Sequence, residues 1–213
     1  MEVAIFTFNP FQENTYVLYD TFGSCIIIDP GCINEEELNT LYDFIEANSL
    51  TPTHLVNTHC HIDHVLGNKA VSEKYGLSLT SHRGEQQVLD MQPQVSTMYG
   101  LPYVASPDIT EFLDDGDTLT FGDTNLKVLF TPGHSPASIS FYWKDGNILI
   151  AGDVLFRDSI GRTDLPGGSF DTLSQSIKEK FYTLPDDTIV YPGHGPSTTI
   201  GYEKINNAFV KAN

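Results

Sequence analysis

Thr58-His59-Cys60-His61-Ile62-Asp63-His64 decides how this chain is read. Three imidazoles and one carboxylate fall within six residues, in a chain that has seven histidines altogether. Imidazole nitrogen and carboxylate oxygen are the donors that Zn²⁺, Fe²⁺ and Mn²⁺ share. Upstream, Thr53 to Thr58 reads as a short strand. Downstream, Val65 to Tyr75 carries apolar residues at a roughly helical spacing. The donors therefore belong on the turn at the carboxyl end of a strand, where an open α/β layer leaves a crevice for ligands. Residues two apart in extended backbone share a face, so His59 and His61 point together. Asp63 and His64 follow where the chain turns into the helix and can face a second point in space. Four such groups from one turn imply two metal ions.

Three later stretches repeat the pattern. Lys127-Val128-Leu129-Phe130 runs into Thr131-Pro132-Gly133-His134, Ile148 to Ala151 into Gly152-Asp153, and Ile189-Val190-Tyr191 into Pro192-Gly193-His194. In each, an apolar strand stops at a small-residue turn and presents one donor, with a glycine that lets backbone approach an ion closely. The set is then His59, His61, Asp63, His64, His134, Asp153 and His194. A carboxylate has two oxygens and can bridge, and Asp153, alone on its strand end, is the expected bridge. Asp29, closing the strand Ser24 to Asp29, has two readings: an acceptor for a ligand histidine N–H, or a turn residue before Pro30-Gly31. His54 reads as a packed strand histidine. His82 reads as a turn residue that faces solvent or caps the next helix. Cys60, between two ligand positions, points away from them and reads as a packed thiol.

The whole sequence has 213 residues, 40% of them hydrophobic and 11% aromatic, which suits one soluble domain with a substantial core. A net charge of −17 disfavours nucleic acid and anionic membrane as partners. No apolar run approaches the ~20 residues that span a bilayer. The amino terminus lacks a basic n-region and enters a strand directly, and three unpatterned cysteines suit a reducing compartment. A cytoplasmic protein is the expectation.

Further strands are expected at Glu2 to Phe8, Asn14 to Tyr19, Leu77 to Ser81, Thr118 to Phe121, Asn125 to Thr131, Ala137 to Trp143, Asn147 to Ala151 and Thr188 to Tyr191. Leu38, Leu41, Tyr42 and Ile45 mark a helix, with Asn34 and Glu37 as its N-cap and N3 pair. Leu173, Ile177 and Phe181 mark a second helix, and Tyr202 to Val210 a closing one. Met91 to Asp108 holds Pro93, Pro102, Pro107 and Gly100 and reads as an irregular loop, either a lid or a spacer. Strands then helix, occurring twice, imply two sheets packed together with helices outside.

His-x-His-x-Asp-His at 59–64, Pro-Gly-His at 132–134, Gly-Asp at 152–153 and Pro-Gly-His at 192–194 resemble the metallo-β-lactamase-fold hydrolases. Within them the chain is similar to the glyoxalase II-like group, the hydroxyacylglutathione hydrolases. Gly161-Arg162-Thr163-Asp164 and His194-Gly195-Pro196-Ser197-Thr198-Thr199 are like the short bacterial relatives. The resemblance implies an αββα sandwich of two mixed β-sheets with helices on the outer faces, as a single domain over 1–213. It implies His59, His61 and His134 on one metal, Asp63, His64 and His194 on a second, and Asp153 with a water or hydroxide between them. Zinc is the expected metal, with iron or manganese as alternatives.

The expected chemistry is hydrolysis of a small acyl thioester, with Asp63 orienting the attacking hydroxide. Two departures from full-length glyoxalase II bear on glutathione: the chain ends soon after Val210, without the helical C-terminal domain, and Gly195-Pro196 replaces a Glu-Tyr pair. Arg157 and Arg162, two of the three arginines, are candidates to hold a substrate carboxylate, or else pair with Asp158 and Asp164. The alternatives are a persulfide dioxygenase with one iron on His59, His134 and Asp153, an acyl-lactone hydrolase, and a non-catalytic metal-binding protein. A true β-lactamase is disfavoured, because those enzymes typically have Cys at the place of Asp153 and lack a His at 64.

Overall fold

The computed structural model describes residues 1–212, which form two compact units. One is Met1–Phe112 with Thr120–Thr124; the other is Leu113–Leu119 with the chain from Asn125 onward. The fold has two six-stranded mixed β-sheets with helices, as the sequence pattern anticipates.

In the first unit the strands lie in chain order: β1 (Glu2–Phe8), β2 (Glu13–Tyr19), β3 (Ser24–Ile28), β4 (Thr51–Val56), β5 (Leu79–Ser81) and β6 (Ile109–Phe112). β1, β2 and β3 pair antiparallel, whereas β3 to β6 run parallel. Parallel neighbours need a crossover, and α1 (Glu35–Ala47), α2 (Ile62–Val65) with α3 (Asn68–Tyr75), and α4 (Gln86–Tyr99) supply the three. Register aligns Val17, Ile27, Leu55, Leu79 and Ile109 in one row across five strands. All five are buried, and Leu41 and Ile45 of α1 belong to the same cluster. Tyr16, Leu18, Ile26 and Ile28 point to the opposite face by the two-residue repeat and are buried as well.

α1 begins as its sequence predicts. Asn34 Oδ1 accepts the Glu37 N–H at 2.9 Å. The reciprocal arm is displaced by one residue, because Glu37 accepts from the Ile33 N–H at 2.8 Å and from the Asn9 N–H at 3.0 Å.

The stretch Met91 to Asp108 is a correction. Its first half belongs to α4, a fourteen-residue helix with Pro93 inside it. A proline removes one backbone donor but leaves its carbonyl, and that carbonyl accepts from Ser96 Oγ and Thr97 Oγ1. Val88, Leu89, Gln92 and Ser96 form the buried stripe, which starts ahead of the proline and carries the helix through it. Gly100, with φ +66°, ends it. Val65 to Tyr75 is likewise two helices and not one.

The second sheet has the order β14 (Thr198–Thr199), β13 (Ile189–Pro192), β10 (Ile148–Gly152), β9 (Ile139–Trp143), β8 (Thr124–Phe130) and β7 (Thr118–Phe121). β11 (Leu155–Phe156) and β12 (Ser159–Ile160) form a separate hairpin. Leu149 sits in register between Tyr142 and Val190. That row clusters with Leu173 of α5 (Phe170–Ser176), Ile177 and Phe181 of the π-helical turn after it, and Ile200 of α6 (Ile200–Asn206). α6 ends four residues before the expected Val210, because Asn207 Oδ1 accepts the N–H groups of Phe209 and Val210 and turns the chain. β11, β12 and β14 have two residues each, too few for a two-residue period to register, and β6 is a further strand that the sequence pattern does not announce.

Replacing Asn34 with Ala removes the cap of α1 and is expected to cost about 1 kcal/mol of stability. Urea denaturation of the variant against wild type measures it.

Candidate metal centre

Each unit gathers its own donors at strand ends, for a topological reason. β3 and β4 are parallel and β2 is antiparallel to β3, so the carboxyl ends of β3 and β4 meet the amino end of β2. Asp29, Asn57 and Glu13 therefore emerge together, and the Asp29 N–H donates to the Val56 carbonyl at 2.9 Å. The turn Asn57 to His61 follows, and α2 carries Asp63 and His64. The His59 ring lies 4.8 Å from the His61 ring and 4.1 Å from the His64 ring, centre to centre. His59 and His64 are buried, whereas His61 and Asp63 are partly exposed.

Asp29 is the hub of this group. Its Oδ1 accepts the Thr58 N–H at 2.7 Å and Asn57 Nδ2 at 3.2 Å; its Oδ2 accepts the Thr58 hydroxyl at 2.6 Å. His64 Nδ1 also donates to that Oδ2, at 3.2 Å. A carboxylate can only accept, so the His64 proton sits on Nδ1 and its ligating lone pair on Nε2. Thr58 has spent its hydroxyl proton on Asp29 and thus accepts from His59 Nδ1, 3.1 Å away. That likewise assigns the ligating lone pair of His59 to Nε2. Asp29, His59 and His64 have ligand-type atoms within 4.8 Å of one another. Both Asp29 oxygens thus accept hydrogen bonds, four in all, from Thr58, Asn57 and His64.

Four residues of this neighbourhood escaped sequence reasoning. Glu13 is fully buried, accepts the Thr15 hydroxyl at 2.9 Å, and has its Oε1 3.8 Å from His64 Nδ1. Burial pushes its carboxyl well above the usual carboxylate range; His64 opposes the shift and Asp29 adds to it. Asn9, with φ +52°, donates from Nδ2 to the carbonyls of Gly31 and Asp63, both at 3.0 Å. A Cβ on Gly31 would collide with Glu13, the Asp63 carbonyl and Asn9, so only glycine permits this approach. Asn57 donates to the His64 carbonyl at 2.9 Å. Glu85, fully buried, accepts the Cys60 N–H at 2.9 Å and so pins the peptide between His59 and His61. Only Asn9, in a loop suited to left-handed backbone, carried any local signal.

The expected bystanders stay out of the donor set. Cys60 is fully buried, and burial, then Glu85 and Asp29, push its thiol well up. His82 caps a 3₁₀ turn by accepting the Gly84 N–H at Nδ1, 3.1 Å. His54 is half-buried beside the Thr53 hydroxyl, and burial lowers its pKa.

In the second unit β8 and β10 are both antiparallel to β9, and β13 is parallel to β10. All three strands thus end at one edge, and their next turns deliver His134, Asp153 and His194. The Gly193 N–H donates to the Gly152 carbonyl at 2.9 Å and ties two of those turns together. Asp153 Oδ2 lies 3.4 Å from His134 Nε2 and 3.5 Å from His194 Nε2. His134 Nδ1 donates to the Arg162 carbonyl at 2.7 Å, so its Nε2 carries the lone pair. A Cβ on Gly161 would run into the Asp153 carbonyl, which makes glycine obligatory there.

Arg162 and Arg157 differ in their engagement. The Arg162 fork is closed on Asp164, Nε to Oδ1 at 2.7 Å and Nη2 to Oδ2 at 2.8 Å, and it pulls the Asp164 carboxyl down to about 2. Arg157 lies 4.9 Å above the Tyr202 ring, with Asp158 at 3.9 Å.

The model of the metallo-beta-lactamase superfamily matches residues 8–194. The "Probable metallo-hydrolase YqgX" of Bacillus subtilis is 41% identical, over 94% of this chain and 93% of that protein. "Hydroxyacylglutathione hydrolase GloC" of Haemophilus influenzae is 34% identical, over 100% of this chain and 99% of its own. Among solved structures, the BLEG-1 B3 metallo-beta-lactamase superposes with a TM-score of 0.90 at 36% identity, covering 98% of this chain and 99% of that one. TTHA1623 in a di-iron-bound form gives 0.88 at 35% identity, covering 98% and 100%.

Two substitutions probe the supports. Asn tolerates the φ of +51° at residue 29, so Asp29→Asn keeps the backbone but places an amide NH₂ among donors. Its metal affinity, by chelator competition, is expected to fall about 10–100-fold, and an unchanged affinity would remove the orienting role. Gly161→Ala is expected to displace Asp153 and lower the bound-metal content measured by elemental analysis.

Proposed function

We propose a dinuclear thioester hydrolase, from the premise that the chain belongs to the metallo-beta-lactamase superfamily. The coarse class is that of a metal-dependent hydrolase. His59, His61 and His134 would hold one divalent ion, Asp63, His64 and His194 a second, with Asp153 shared. The donors fit such ions: five imidazoles and two carboxylates, with the Nδ1 protons of His59, His64 and His134 committed to oxygen acceptors. Zinc is the first choice and iron or manganese the others, since no thiolate joins the set. Two such ions, when bound, supply water that ionises near neutral pH and a Lewis acid for a carbonyl oxygen.

The observation that carries this reading is Asp153 Oδ2 at 3.4 Å from His134 Nε2 and 3.5 Å from His194 Nε2, so that one carboxylate would serve both donor sets. Asp63 has its backbone fixed by Asn9 and its side chain 15% exposed, so it can reach and orient an attacking water. Cys60 stays a thiol in its buried setting, which disfavours a cysteine acyl intermediate and leaves direct attack by water. A thiol leaving group with a pKa of about 8.5 departs without a strong general acid. None is required from the chain. The likeness to GloC supports a thioester as the substrate. The likeness to BLEG-1 favours β-lactam hydrolysis as the second reading.

Purified protein is expected to contain two equivalents of metal and to hydrolyse S-lactoylglutathione until a chelator is added. Asp153→Ala is expected to lose one equivalent, and about 100-fold or more of the turnover, beyond the ~10–100-fold effect of an outer partner. Faster turnover of a chromogenic cephalosporin than of the thioester would instead favour the β-lactam reading. A single iron with oxygen uptake on glutathione persulfide would favour the dioxygenase.

A further inference from the structure

Two arginines lie in the segment that follows Asp153, and their surroundings distinguish them. Arg162 spends two donors of its planar fork on Asp164, and its carbonyl serves His134. Arg157 has no such bidentate partner among the described residues. Its nearest carboxylate oxygen is 3.9 Å from Nε, beyond hydrogen-bond range, and its guanidinium lies over the Tyr202 ring with about half of the side chain exposed.

The support under Arg157 is hydrogen-bonded throughout. Asp158, at φ +61°, accepts the Tyr202 hydroxyl at 2.8 Å, which fixes the ring that the guanidinium covers. The Asp158 N–H donates to both oxygens of Glu203, each at 3.2 Å. Glu203 is fully buried and also accepts from Thr198 Oγ1 at 2.6 Å and Asn207 Nδ2 at 2.8 Å. Asn207 Nδ2 in turn reaches the Ser159 carbonyl at 3.0 Å. The β11–β12 turn is thereby bolted to α6. One residue before Arg157, the Phe156 ring meets the His194 ring edge-on at 6.1 Å, so this turn adjoins a donor histidine.

We propose that Arg157 recognises a carboxylate on the substrate and that the Arg162 side chain does not. The inference rests on the thioester reading for the identity of the substrate, and it narrows that substrate to an acyl thioester bearing a carboxylate on its thiol carrier or acyl arm. In a chain of net charge −17 an exposed cation is where a carboxylate gains most from local attraction. An arginine stacked on an aromatic ring is already ordered, so less side-chain entropy is lost when its fork meets a carboxylate.

The probe is S-methylglutathione, which carries carboxylates and cannot be hydrolysed, titrated calorimetrically into metal-loaded protein. S-methyl-N-acetylcysteamine, which is neutral, is the control. Arg157→Ala is expected to weaken S-methylglutathione about 10-fold or more, the loss of one charge-assisted contact, with metal content, Tm and affinity for the neutral analogue unchanged. A dissociation constant within twofold of wild type, an equal loss for the neutral analogue, or no binding by wild type overturns the inference. A wild type that binds S-methylglutathione but hydrolyses no thioester sinks the thioester reading and leaves the carboxylate site standing.

Discussion

An imidazole can ligate only if its proton is on the nitrogen that faces away from the metal, and in the first unit the Asp29 carboxylate settles that for two histidines. It takes the His64 proton directly and the Thr58 hydroxyl proton, which in turn makes Thr58 an acceptor for His59. Much of the local fold is arranged to put Asp29 there. It follows β3 with a positive φ, beside the end of β4, at the one place where its oxygens reach Thr58, Asn57 and His64 together. In the second unit a backbone carbonyl, that of Arg162, does the same for His134, and the glycine before it lets the loop lie against Asp153.

The His/Asp cluster was legible because its members are local. His59 to His64 is a contiguous stretch, and His134, Asp153 and His194 each close an apolar strand, so residue type and position suffice. The two mixed sheets were legible for the same reason: their strands carry β-branched runs bounded by turns. What was not legible depends on pairing across the chain. Glu13 looks like any loop carboxylate until β2 is laid antiparallel to β3, and Glu85 like a helix-start acid until its oxygen meets Cys60, 25 positions earlier. The helical part of Met91 to Asp108 is hidden because its prolines look like breaks, while the apolar stripe that overrides Pro93 begins at Val88, ahead of that stretch.

The acidic character of the chain acquires a second meaning in these surroundings. Glu13, Asp29, Glu85 and Asp153 are all buried close to imidazoles or to the peptides between them, and Glu203 is buried beneath the β11–β12 turn. Carboxyl groups taken out of water cost free energy unless hydrogen bonds or cations compensate. Asp29 and Glu203 are compensated by donors of the chain itself. Glu13 accepts the Thr15 hydroxyl, and burial raises its pKa. A divalent cation nearby is the natural counterweight, which couples the acidity of the interior to metal binding.

Cys60 shows how the donor set is kept to nitrogen and oxygen. A thiolate between two ligand histidines would bind a soft ion strongly and change the metal preference of the site. Alternation along extended backbone sends its side chain the other way, into the same cluster as Leu55, Ile62 and Val65. Burial then keeps the sulfur protonated, and the adjoining carboxylates of Glu85 and Asp29 push in the same direction. Glu85 thus has two effects at once: it holds the Cys60 peptide so that the flanking imidazoles stay placed, and it disfavours the thiolate that would compete with them. A nitrogen-and-oxygen site beside a cysteine needs both effects, and the sequence neighbours of Cys60 supply neither; β5 and the 3₁₀ turn that follows it bring Glu85 into place.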